Sequence, residues 1–139
     1  MIEYNYEIDF VLKPESYYSD WLSRIISSET KQLGVLDFIF CSDEYLLDMN
    51  MKFLNHDTYT DIITFDYCEG DVVAGDIFIS IERVRDNANE FGVNFDEELL
   101  RVMAHGVLHL MGYKDKTDMD SDLMRKKEEE KIKLFHVEH

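Results

Sequence analysis

His105, Gly106, Val107, Leu108 and His109 hold the clearest chemistry in this chain. Two histidines four apart on a helix share one face, one turn from each other. Asp115 follows, just past Gly112. The pattern H-x3-H-x5-D offers two imidazoles from a rigid element and a carboxylate from the next turn. Three such ligands leave a fourth position open, the arrangement of a catalytic zinc site. Histidines at this spacing also serve as plain residues bonded to backbone carbonyls. An apolar setting, a glycine turn and a following carboxylate favour a metal here. The zinc-protease motif H-E-x-x-H carries its glutamate base at the second position, where this chain has Gly106. Any base must then come from elsewhere. A glycine inside a helix costs about 1 kcal/mol against alanine, so Gly106 is expected to clear space for another element or a ligand.

The positioning element is a helix over 94–111. Asn94 and Glu97 form an approximate capping box at its start. Leu99, Leu100, Val102, Met103, Val107, Leu108, Leu110 and Met111 then crowd every face, as in a buried helix. Gly112 supplies the left-handed stop. Asp118, Asp120 and Asp122 also follow the histidines, but they read as the negative start of another helix. Spacing favours Asp115 as the third ligand.

Upstream, residues 2–12 alternate as a strand with one wet face: Ile2, Tyr4, Tyr6, Ile8 and Phe10 against Glu3, Asn5, Glu7 and Asp9. Pro14 suits a first helical turn. Tyr18, Leu22, Ile25 and Ile26 stripe that helix, with Gly34 read as its end. A short strand over 35–41 leads to a helix over 43–54, capped by Ser42 or Asp43, with Leu46, Met49 and Phe53 on one face. Strands over 62–67 and 72–80 flank a hairpin turn. A helix over 82–91 turns Val84, Ala88 and Phe91 inward, and Gly92 closes it. The last helix, over 121–135, carries Arg125-Lys126-Lys127 and Glu128-Glu129-Glu130 as a solvated face with ion pairs. Trp21 is assigned to the core. His136 and His139, at the end, are not counted as ligands.

The run from His105 to Tyr113 resembles the signature of the YbeY family, bacterial rRNA maturation factors and single-strand endoribonucleases. Thr60-Asp61-Ile62-Ile63-Thr64-Phe65 looks like its Thr-Asp/Asn-Val-Leu-Ser-Phe block, and Gly75-Asp76-Ile77 like its Gly-Asp-Ile strand. The resemblance implies a zincin-like α+β domain: a mixed four-stranded sheet packed on helices, with a central metal helix. It implies Zn2+ on His105, His109 and Asp115. Many members have a histidine where Asp115 stands, so the site here is harder and more anionic, and Ni2+ or another divalent transition ion also suits it. Asp61 and Asp76 enter as catalytic candidates because both lie in family blocks. Members commonly carry an arginine in a Tyr-Arg pair that serves the nuclease activity. Phe53-Leu54 occupies that place here, and His56 is a candidate substitute.

A chain of 139 residues suits one domain, 1–139. No apolar run approaches the roughly 20 residues that span a bilayer. Cys41 and Cys68 read as reduced thiols of a cytoplasmic protein. The net charge of −16 sets this chain apart from basic RNA binders. A bound metal, nearby cations such as Lys52, Lys114 and Lys116, or a ribosomal protein partner would offset it. The reading is a zinc endoribonuclease for 16S rRNA 3' end maturation and 70S ribosome quality control. Its expected partners are rRNA, the 30S subunit and ribosome-associated proteins, with no membrane and no DNA. The alternatives are a non-catalytic ribosome assembly factor with a structural metal, and a metallopeptidase.

Overall fold

The computed structural model describes residues 1–56 and 58–136. In chain order the elements are β1 (Ile2–Tyr6), α1 (Glu15–Ser28), β2 (Gln32–Cys41), α2 (Asp43–Leu54), β3 (Ile62–Asp66), β4 (Val72–Ser80), α3 (Ile81–Phe91), α4 (Phe95–Leu110) and α5 (Asp118–His136). The strands form one sheet in the order β1-β2-β4-β3. β1, β2 and β4 run parallel; β3 is antiparallel to β4. This is the expected α+β class with a mixed four-stranded sheet. Helix α4 touches β3, β4, α1, α3 and α5, so the histidine helix is central. Helix α2 covers the opposite sheet face, where Leu46 packs with Cys41 and Ile63.

Local chemistry explains both ends of α4. The Asn94 side chain accepts from Glu97 N–H at 2.8 Å. Its amide also donates to the Glu97 carboxylate at 3.4 Å, so the box closes side chain to side chain. At the far end Gly112 N–H bonds His109 O and Tyr113 N–H bonds Leu108 O, each at 3.0 Å. That double bond pattern is a Schellman stop, which needs a left-handed residue; Gly112 has φ 101°. Gly106 clears space for an element: a Cβ there would come within 2.9 Å of Ile62 Cδ1 and 3.0 Å of Ile77 Cγ2. The sheet therefore presses directly on the helix between the two histidines.

Several sequence expectations need correction. The first strand ends at Tyr6 instead of running to residue 12. Its partner β2 gives out: Glu7 N–H bonds Phe40 O at 2.8 Å, and one residue past Cys41 the chain caps α2, where Ser42 Oγ accepts from Tyr45 N–H. Ile8 and Phe10 still pack on the core from a loop. Gly34 does not end α1, which stops at Ser28. It lies inside β2, where a Cβ would come within 2.7 Å of Val72 Cγ1, beside a register shift between Leu33 and Leu36. Phe53 and Phe91, read as inward, are exposed at the last turns of their helices.

The charged last helix is also not a simple wet face. Glu128 is 7% exposed and Lys131 2%. Lys131 Nζ donates to Ser28 Oγ and to Glu29 Oε2, both at 2.8 Å. Lys127 Nζ reaches Glu29 at 3.2 Å, and Tyr113 Oη donates to Glu29 Oε1 at 2.5 Å. Trp21, fully buried, donates its indole N–H to Lys131 O at 2.8 Å. Glu29, at the end of α1, thus ties that helix to α5 and to the turn after α4. His136 closes α5, while His139 lies outside the described residues.

These contacts set two expectations for stability. Gly106→Val should cost about 1–3 kcal/mol by overpacking, read as a lower urea midpoint. For Glu29, burial alone raises the carboxyl pKa, but hydrogen bonds from Lys131, Tyr113 and Lys127 outweigh it and hold the group at about 2, against an ordinary 4.5. A depressed carboxylate pKa stabilises fully above the ordinary value and fades as pH drops toward the folded one. Glu29→Gln should cost on the order of 3 kcal/mol at neutral pH. In thermal melts at stepped pH, that gap should shrink from about pH 4.5 downward; a constant gap would refute the assignment.

Candidate metal centre

The two histidine rings stand nearly perpendicular, 84° apart, with centroids at 4.5 Å. Their Nε2 atoms both approach Asp115 Oδ2 at 3.4 Å. One ligand atom from each of the three residues lies within 4.8 Å of the others. A charge-assisted hydrogen bond would be shorter, about 2.7–2.9 Å. Tetrahedral bonds of about 2.0–2.2 Å to an ion put neighbouring ligands roughly 3.3–3.6 Å apart. The separations therefore fit the edges of a metal's coordination shell better than direct bonding, and the donor set suits a divalent transition ion.

The other ring nitrogens strengthen that fit. His105 Nδ1 lies 2.6 Å from Glu128 Oε2, and His109 Nδ1 lies 2.9 Å from Tyr113 O. Each partner is an acceptor, so each ring carries its proton on Nδ1 and turns the Nε2 lone pair toward Asp115. Metal-binding histidines are typically oriented this way. Glu128 is held in turn: Arg101 donates to its Oε1 at 3.2 Å. Arg101 Nε also approaches Glu98 Oε1 at 3.4 Å, without hydrogen-bond geometry, since that buried oxygen has no such partner. Burial works to lower the pKa of His105, yet the bond to Glu128 and the charges of Glu128, Asp115 and Asp61 prevail and raise it. The pocket favours positive charge.

The ligands open on a cleft of about 460 Å³. Asp61 and His56 line it with His105, His109 and Asp115. Asp61 sits just before β3 and accepts from Asn87 Nδ2 at 3.4 Å. Burial pushes its carboxyl pKa up, with His105 pulling it back. His56 is exposed at the rim. Asp76 is not brought to this site: it does not line the cleft. On β4 it alternates with Ile77, which faces Gly106, so its side chain leaves by the opposite sheet face. Burial first, then neighbouring Asp37, raises its pKa. Leu54 lines the cleft, and Lys52, Lys114 and Lys116 do not.

The family model described as Endoribonuclease YbeY matches residues 4–136. This chain belongs to the YbeY family. A YbeY relative from Flavobacterium psychrophilum, named Endoribonuclease YbeY, is 61% identical over 137 residues, 99% of this chain and 98% of its own length. One of the same name from Flavobacterium johnsoniae is 59% identical over 138 residues, covering 99% of each. The chain also resembles the solution structure of TM1509 from Thermotoga maritima, with a TM-score of 0.68 and 29% identity over 97% of this chain and 89% of that one.

Sequence reasoning missed Glu128 and Arg101. A signal for Glu128 existed: Met124, Lys131, Ile132 and Phe135 share its helical stripe, so the carboxylate occupies a core position. Glu128→Gln should weaken metal binding about 10–100-fold in a chelator-competition titration while the far-UV spectrum stays unchanged. An unaltered affinity would remove Glu128 from the site.

Proposed function

We propose that this protein is a zinc-dependent endoribonuclease for single-stranded RNA, the whole chain acting as one catalytic domain. One observation carries the reading: His105 Nε2, His109 Nε2 and Asp115 Oδ2 converge on the wall of a cleft. Membership in a family described as Endoribonuclease YbeY supports the reaction class. When bound, a divalent ion supplies Lewis acidity and positive charge at that point. Glu128 and Tyr113 O keep both imidazoles aimed. Asp61, which lines the cleft beside the three ligands, takes the proton from the water that attacks phosphorus and returns it to the leaving ribose oxygen as that P–O bond breaks. The biological setting we assign is 16S rRNA 3' end maturation and 70S ribosome quality control in the cytoplasm. The partners are rRNA, the 30S subunit and ribosome-associated proteins. Among the described residues no helix is long and apolar enough to cross a membrane.

A second reading, a ribosome assembly factor with a structural metal, draws on the net charge of −16 and on Leu54 in place of the family arginine. The metallopeptidase reading loses ground at Gly106, where a side chain would meet Ile62 and Ile77. No base from that position reaches the cleft.

His109→Ala, purified free of other nucleases and supplied with zinc, should cleave a single-stranded RNA oligonucleotide at least about 100-fold more slowly than the parent. Undiminished cleavage would sink the metal mechanism. Full rescue of rRNA processing by the same variant, with retained 30S co-sedimentation, would favour the assembly factor. Elemental analysis of the purified protein decides between zinc and nickel.

A further inference from the structure

Proteins that hold RNA usually neutralise its phosphates with lysine and arginine. This chain carries −16, and among the described residues no lysine or arginine lines the 460 Å³ cleft. Asp61 and Asp115 add negative charge to it. Apart from the three histidines His56, His105 and His109, the rest of the described wall is uncharged: Asn50, three threonines, a few aliphatic side chains, and one phenol ring, Tyr59.

Tyr59 is 48% exposed yet firmly held. Its hydroxyl donates to Glu44 Oε1 at 2.7 Å. The Arg83 guanidinium lies over the ring, 5.1 Å from its centroid. Arg83 is itself anchored on Asp43, at 2.8 Å to Oδ2 and 3.4 Å to Oδ1, and Asp43 Oδ1 also accepts from Ser80 Oγ at 2.8 Å. A large exposed ring normally gains by folding against apolar neighbours. Here polar groups at its hydroxyl end and on one face keep it out at the cleft, and its exposure leaves the other face open. Little side-chain freedom remains to be lost when something flat lands on that face.

We infer that Tyr59 is a base-stacking platform. A nucleobase close to the scissile phosphate of single-stranded RNA stacks on its open face, opposite Arg83. The cleft then grips RNA through its bases more than through its phosphates. This rests on the RNA-cleaving reading above. A ring of this kind serves any base, because every base has a π-face. It also rejects duplex RNA, whose bases are already stacked on one another. Selection for single strands follows from the same side chain.

The test uses the zinc-loaded full chain and a fluorescent single-stranded RNA oligonucleotide. Tyr59→Ala and Tyr59→Leu should raise KM about 5–100-fold, with the loss falling on KM and not on kcat. Leucine keeps apolar bulk without a π-face, so it separates stacking from loop support. Tyr59→Phe and Tyr59→Trp keep a π-face and should bind more tightly than Tyr59→Leu, though they lose the bond to Glu44. Binding should weaken with salt only shallowly, a log–log slope equivalent to about two phosphates or fewer. RNA cleavage by the parent with an unchanged KM for Tyr59→Leu overturns the platform and spares the nuclease reading. A steep salt slope likewise overturns base-led recognition. A parent that neither binds nor cleaves single-stranded RNA overturns both.

Discussion

The site depends on two hydrogen bonds made on the side of each imidazole away from the metal point. A helix can bring His105 and His109 to one face, but it does not set the rotation of either ring. The Nδ1 hydrogen bonds do: Glu128 Oε2 at 2.6 Å and Tyr113 O at 2.9 Å. A ring deprived of its acceptor is free to turn its Nε2 away from Asp115. The acceptors also fix which nitrogen carries the proton, so the lone pairs point where an ion would sit.

Those acceptors are held by distant parts of the chain. Arg101 steadies Glu128 from within α4. Tyr113 is clamped through its hydroxyl to Glu29 at the end of α1, and Glu29 gathers Lys127 and Lys131 from α5. The ligand geometry is thus set by the packing of α1, α4 and α5 together. Gly106 lets the sheet close on α4 from the other side. Of the three ligands, His105 and His109 rest on a rigid, buried helix, while Asp115 comes from the segment between α4 and α5.

The charges around the site are unbalanced. Asp61, Glu98, Asp115 and Glu128 line the small cavity beside His105, and among the described residues Arg101 is the one guanidinium there. Like charges at this density raise the pKa of Asp61 and Glu98, after burial has done the larger part. A bound cation relieves that repulsion. The same excess of negative charge makes the cleft a poor phosphate binder on its own, which gives weight to neutral and aromatic groups such as Tyr59.

Local signals in the sequence determined a good deal. The histidine spacing, the Asn94 cap, the Gly112 stop, the β3–β4 hairpin and the position of Asp115 all depend on neighbours a few residues away, and all are legible in order. Features that depend on distant contacts were not. The first strand stops where β2 runs out, Gly34 answers to Val72 across the sheet, and Asp76 departs from the site because strand alternation sends it to the other face. Glu128 reads as one acid in a charged run until α5 packs on α4. A sequence states which side chains exist and what their near neighbours allow; burial and ring orientation come from segments far along the chain. Tertiary packing alone decided that His105 answers to a glutamate 23 residues away and that Tyr59 reaches Glu44 and lies under Arg83 at the cleft.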